Sequence, residues 1–148
     1  MPGRGNEMPN KGCKFSTDYL PNEEMHAALL ALSKVLLHLL EEHPIIAMYG
    51  WAAHIHDSLH WTPMDDDTRT LHHLIEDSIE QRIVIPGRSD FLFEVPEKRL
   101  EVAFCHESDI HLDGSDDELL QQFMQTAPFV HMRWHTQAEV EKMFKRDA

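Results

Sequence analysis

The hydrophobic period of this chain changes at Arg82 from helical to alternating, and that change limits the folds open to it. Before Arg82 the apolar residues recur at helical spacing, and after it they alternate as in strands. Ahead of the change, Met25, Leu29, Leu32, Leu36 and Leu39 make one stripe behind Pro21-Asn22-Glu23-Glu24, a helix start with acids in its first turn. This helix is expected to reach about His43, because Pro44 cannot continue the hydrogen-bond ladder yet suits the first position of another helix. Residues 44–61 are expected as a second helix with Ile45, Met48, Ala52, Ile55 and Leu59 on one face, although residues 45–51 also fit a buried strand. Thr62-Pro63-Met64-Asp65 reads as an N-cap, a Pro at N1 and an acid at N3, with Asp66 and Asp67 adding charge at the positive end of the dipole. A third helix is therefore expected over residues 63–82, with Leu71, Leu74, Ile75 and Ile79 as its stripe.

Beyond Arg82, Ile83-Val84-Ile85 reads as a short strand ended by Pro86-Gly87. Phe91, Phe93 and Val95 alternate with Asp90, Leu92 and Glu94, Pro96-Glu97-Lys98 turns the chain, and Leu100, Val102 and Phe104 return as the second arm of a hairpin. Ile110 and Leu112 continue the meander to Asp113-Gly114. Ser115 with Glu118, and Thr136 with Glu139, each form a capping box that opens a helix, and residues 129–134 alternate between them. The fold class expected is α+β: an N-terminal helical half of three helices, about residues 22–82, packed with a mostly antiparallel sheet of four to five strands that carries two further helices over residues 83–148. Residues 1–14, rich in Gly, Pro and charge, are expected to be a disordered arm, and residues 15–148 a single domain.

Charge narrows the partners. Thirteen basic against 26 acidic residues leave a formal net charge of −13, which disfavours nucleic-acid backbones and anionic lipid, both of which need clustered Lys and Arg. A basic protein partner suits this charge, and the oligomeric state is left open. Two isolated cysteines, Cys13 and Cys105, make no disulfide framework, and no apolar run is long enough to span a bilayer, so a cytoplasmic protein with reduced thiols is expected.

Twelve histidines carry the remaining chemistry, and protonating all of them would bring the formal charge to about −1. On a helix His56 and His60 stand one turn apart, so both imidazoles reach one divalent ion such as zinc, iron or manganese. His54 lies round the helix from them, and Asp57 is placed to orient a ring. A third ligand is expected from His72, His73 or Glu76, of which His72 and Glu76 share a helix face. His56-Asp57, with His26 about thirty residues earlier, resembles a fragment of the metal-dependent HD phosphohydrolase pattern. That resemblance implies an all-helical fold with a further aspartate, whereas the second half of this chain alternates as sheet. The stretch from Cys105 to His111 offers a thiol and imidazoles, with His131 or His135 able to approach, but it reads first as a polar hairpin turn with Cys105 on the face opposite Val102 and Phe104. Asp65-Asp66-Asp67 reads as a helix start rather than a cation site. No phosphate loop, nucleophile elbow or dinucleotide fingerprint is present. The function expected is a non-enzymatic interaction or regulatory module. The alternatives are a divalent-metal protein or metal-dependent hydrolase built on His56 and His60, and a histidine-driven pH-responsive protein.

Overall fold

The computed structural model describes residues 13–51 and 60–147. Its frame is a seven-stranded, wholly antiparallel sheet made of β1 (Phe15–Thr17), β2 (Pro44–Tyr49), β3 (Met64–Asp67), β4 (Phe91–Val95), β5 (Leu100–Cys105), β6 (Asp109–Gly114) and β7 (Trp134–Thr136). In space the order is β3-β2-β4-β5-β6-β1-β7, so the N-terminal strand inserts between β6 and β7. Four helices accompany it among the described residues: α1 (Asn22–Leu40), α2 (Leu71–Glu80), α3 (Asp117–Met124) and α4 (Gln137–Asp147). None of the described helices is long and apolar enough to cross a membrane.

One face of the sheet makes the main core. Residues at alternate strand positions, including Ile45, Ala47, Phe91, Phe93, Val102, Phe104 and Ile110, are buried against Met25, Leu29, Leu32 and Leu36 of α1, Leu71 and Ile75 of α2, and Leu120 and Phe123 of α3. Aromatic packing ties the centre together, with the rings of Phe91 and Phe93 4.5 Å apart and Phe104 edge-on to Phe93 at 6.2 Å. The opposite face has a smaller apolar cluster. There Leu92, Ala103 and Cys105 are buried beneath Met48 and Trp61.

This architecture corrects the expected one. There is no three-helix N-terminal half, and the sheet has seven strands rather than four or five. Residues 44–49 are β2, because Ile45, Ala47 and Tyr49 fill the main core while Ile46 and Met48 serve the second face, a period of two that a helix cannot supply. Residues 64–67 are the edge strand β3, and the helix starts only at Leu71. The acids still serve the chain turn before that helix: Asp67 Oδ1 accepts from the N–H groups of Arg69 at 2.8 Å and Thr70 at 3.2 Å. Residues 83–85 are not a strand, since the N–H groups of Ile83 and Val84 both fold back onto the carbonyl of Ser78 at the end of α2. Residues 129–131 form a short 3-10 turn with Phe129 buried and Val130 exposed, and the strand follows at Trp134. β1 was not among the expected strands.

Other elements fall where the pattern places them. The β4–β5 hairpin turns through Pro96–Lys98, with Arg99 left-handed. Thr136 and Glu139 close a reciprocal capping box, while at α3 the cap moves one residue along, to Asp116, whose carboxylate accepts from Leu119 N–H at 3.1 Å. Of the arm expected at residues 1–14, only Cys13 and Lys14 are among the described residues, and the Lys14 carbonyl accepts from Gln137 N–H.

Candidate metal centre

The β5–β6 hairpin builds the site. Its turn is short enough that Ser108, left-handed at φ 62°, donates its N–H to the Cys105 carbonyl at 3.0 Å, so Cys105 and Asp109 face each other across the first rung. His111 follows two residues later, opposite Ala103, on the same face as Cys105 and Asp109. One donor atom from each of Cys105, Asp109 and His111 lies within 4.8 Å of the others. Around zinc, tetrahedral ligand atoms stand roughly 3.3–3.8 Å apart given bonds of about 2.0–2.3 Å. Closure therefore needs side-chain movement of about an ångström and no rearrangement of the strands.

The hydrogen bonding leaves donors over. Asp109 Oδ2 meets His111 Nε2 at 3.0 Å, which fixes the ring and leaves Nδ1 as its second donor atom. Among the described residues three buried side-chain polar atoms have no hydrogen-bond partner, and two of them are Asp109 Oδ1 and His111 Nδ1. Burial works against a charged imidazole at His111, but the hydrogen bond to Asp109, reinforced by the thiols of Cys105 and Cys13, raises its pKa far above the ordinary value. Burial pushes the Cys105 thiol up in turn, with His111 pulling it the other way. Metal entry at such a site displaces protons from its ligands.

Beside this group, Asp90 organises the strand ends. Its buried carboxylate accepts from His106 N–H at 2.7 Å and from Trp51 N–H at 3.1 Å, and it holds His106 Nδ1 at 2.9 Å. This ties the end of β5 to β4 and to the segment after β2. Gly50 fits there because a side chain would meet Trp61: a Cβ would lie 2.7 Å from its Cη2.

A second donor group is His72, His73 and Glu76 at the start of α2, with the two imidazole rings 3.9 Å apart. It contains His72 and Glu76 of the expected ligand set, but His73 and Glu76 are exposed. His60 belongs to neither group; it bridges Tyr49, so the helix expected to stack it one turn from His56 does not run through it. His54, His56 and Asp57 lie outside the described residues. His135 is turned to Asp18, with Glu139 at 4.0 Å, and does not approach Cys105.

Cys105 does lie opposite Val102 and Phe104, as alternation requires, but its neighbours make the stretch more than a polar turn. The missed signal was the register: pairing Cys105 with Asp109 across a three-residue turn places His111 on the same face. Comparison with protein-family models, curated proteins and solved structures finds no match. The chemistry therefore rests on this geometry.

Proposed function

We propose that this chain binds one divalent transition-metal ion through Cys105, Asp109 and His111, with zinc the best-matched ion. The observation that carries this reading is the pair of buried, unpartnered donor atoms, Asp109 Oδ1 and His111 Nδ1, within a group that also offers a thiol. An unpartnered buried polar atom costs about 1–3 kcal/mol, and a cation offsets that cost at electron-pair donors. The thiolate favours zinc over manganese, and the mixed sulfur, nitrogen and oxygen set suits zinc's lack of geometric preference. Tag-free protein, dialysed against metal-free buffer, is expected to retain or take up about one zinc per chain. Cys105→Ser combined with His111→Ala should abolish that binding, and His72→Ala combined with His73→Ala should leave it intact. The opposite pattern would move the site to α2, and no binding by the wild type would end the reading.

A second reading, an acidic module that meets a basic protein partner, draws support from the second face of the sheet. There Glu94 lies directly opposite Glu101, and Glu101 opposite Asp113, three carboxylates in one row across adjacent strands. The row belongs to an acidic surface in keeping with the formal net charge of −13, which suits a basic partner. Its test is a complex that weakens with salt and is lost in Glu94→Gln with Asp113→Asn.

A further inference from the structure

The hairpin that carries Cys105, Asp109 and His111 is not held by its own two strands alone. Two residues interleave with the donors, Ser108 just before Asp109 and Ile110 between Asp109 and His111, and both are tied to the segment that leads from β1 into α1. The Ser108 hydroxyl donates to the Leu20 carbonyl at 2.5 Å, and the Leu20 N–H returns to the Ser108 carbonyl at 2.8 Å. The Ile110 N–H donates to Thr17 Oγ1 at 3.0 Å. Thr17, Leu20 and Ser108 are all buried, so water does not compete for these bonds.

Neither residue is the one its backbone position favours. Ser108 is left-handed at φ 62°, a conformation that Gly or Asn adopts at less cost, and the bond to Leu20 offsets that cost. Gly87 leaves room for the hydroxyl, since a Cβ there would lie 2.8 Å from Ser108 Oγ. At Thr17 a side chain does the work of a ladder. β1 pairs Phe15 with Leu112 and Ser16 with His111, and one residue further on the Thr17 hydroxyl, not a backbone carbonyl, takes the Ile110 N–H. On the far side of the turn Asp90 fixes the His106 N–H at 2.7 Å. The turn between Cys105 and Asp109 is therefore pinned at both ends from outside the hairpin.

We infer that Thr17 and Ser108 are positioning residues of the metal centre, through which the β1–α1 connection sets the spacing of Cys105, Asp109 and His111. This rests on the metal reading above and deepens it by naming what holds the donors in place. With the backbone pinned, closing on an ion takes side-chain movement alone. The coupling is reciprocal: whatever factor the two contacts add to metal affinity, the ion returns to the docking of the β1–α1 connection on the hairpin.

Zinc affinity, read by competition with a chromophoric chelator on the full-length, tag-free chain, tests the inference. Thr17→Val, which removes the acceptor and keeps the shape, and Ser108→Gly, which suits the left-handed backbone and removes the hydroxyl, should each weaken binding roughly 10–100-fold, the range for loss of an outer-shell partner. The stoichiometry should stay at one ion per chain. Thr17→Ser keeps the acceptor and should bind as wild type does. A purely structural role would lower the melting temperature of the metal-free variants while leaving their affinity unchanged, and that result overturns the inference. Hydrogen exchange on the unmutated chain gives a readout that depends on no variant folding. Zinc should slow the Leu20 and Ile110 amides about tenfold more than the Gln81 amide at the end of α2, and equal protection of all three overturns the inference. If wild type takes up no zinc, the metal reading fails and this one with it. If wild type binds and the variants match it, only the positioning role fails.

Discussion

Removing the Asp90 carboxylate should unfasten the sheet end that carries the candidate site. Asp90 is 3% exposed and takes three hydrogen bonds, from His106 N–H, His106 Nδ1 and Trp51 N–H. Hydrogen bonds to a carboxylate contribute about 1.5–3 kcal/mol each, so their sum bounds the effect of Asp90→Ala at about 9 kcal/mol. Water recovers much of that. Trp51 is 63% exposed and the His106 side chain 30%, so their donors find solvent, and the His106 backbone N–H carries most of the cost. The expected loss is about 3 kcal/mol, within the range for breaking a buried polar network. Urea unfolding followed by tryptophan fluorescence, with chelator present so that metal does not contribute, should show a midpoint lower by about 1–3 M at an unchanged m-value. Asp90→Asn keeps one acceptor and should lose about 2 kcal/mol. In a double-mutant cycle with His106→Ala the coupling should be about 1 kcal/mol, because the two variants share only the contact to the ring. A loss below about 1 kcal/mol for Asp90→Ala would refute the assignment, since an ordinary surface substitution costs less than that.

Gly50→Ala should destabilise by about 1–3 kcal/mol and shift tryptophan emission, because the new Cβ would lie 2.7 Å from Trp61 and 2.8 Å from Asp90 Cβ; an unchanged melting temperature would contradict that close approach. Tyr49→Phe should lose only about 0.5–1.5 kcal/mol in the same urea assay. The Tyr49 hydroxyl meets Ser78 Oγ at 2.6 Å, but Ser78 still donates to the Leu74 carbonyl, so nothing is left unpartnered, and a much larger loss would mean that the hydroxyl does more. The Thr136 N–H and hydroxyl hold the Glu139 carboxyl below its ordinary pKa, so the capping box contributes fully above the unfolded-state value and loses that contribution as pH falls through the folded one. The Thr136 amide resonance should therefore report fraying of α4 between about pH 5 and pH 2, and Glu139→Gln should flatten that dependence.

What the sequence made legible follows the range of the forces involved. α1, the β4–β5 hairpin and the capping box at Thr136 are specified by residues within a few positions of one another, and they form where the pattern puts them. β2 was legible only as the alternative to a helix, because Ile45, Met48 and Ala52 satisfy a helical period by chance, and the burial of both its faces appears only once β3 and β4 flank it. β3 was hidden for the opposite reason. Three aspartates are poor strand formers, but on a sheet edge their charge keeps other strands from pairing, and no local rule distinguishes that from a helix start. At the site, Cys105, Asp109 and His111 were within reach of a register argument over one hairpin.

His43 tests whether an unpartnered histidine is enough to mark a site. Its Nδ1 is the third buried atom without a partner, and its backbone is held on both sides by Thr68, at 3.1 Å through the hydroxyl and 3.0 Å through the amide. Yet it belongs to neither donor group among the described residues, so a cation there would find fewer than three such ligands and gain little against its hydration. The Asp109–His111 pair differs in convergence. Both residues with an unsatisfied atom stand beside a buried thiol, with one donor atom of each of the three within 4.8 Å of the others on paired strands. One bridging water could donate to a carboxylate oxygen and accept from an imidazolium, whereas a metal ion would engage the thiol as well. The proposed zinc ion would engage all three residues, and it predicts that chelator lowers the melting temperature of wild type while leaving Cys105→Ser unmoved. If chelator leaves the wild type unmoved as well, the buried atoms are a cost of the fold and the site is not a metal centre.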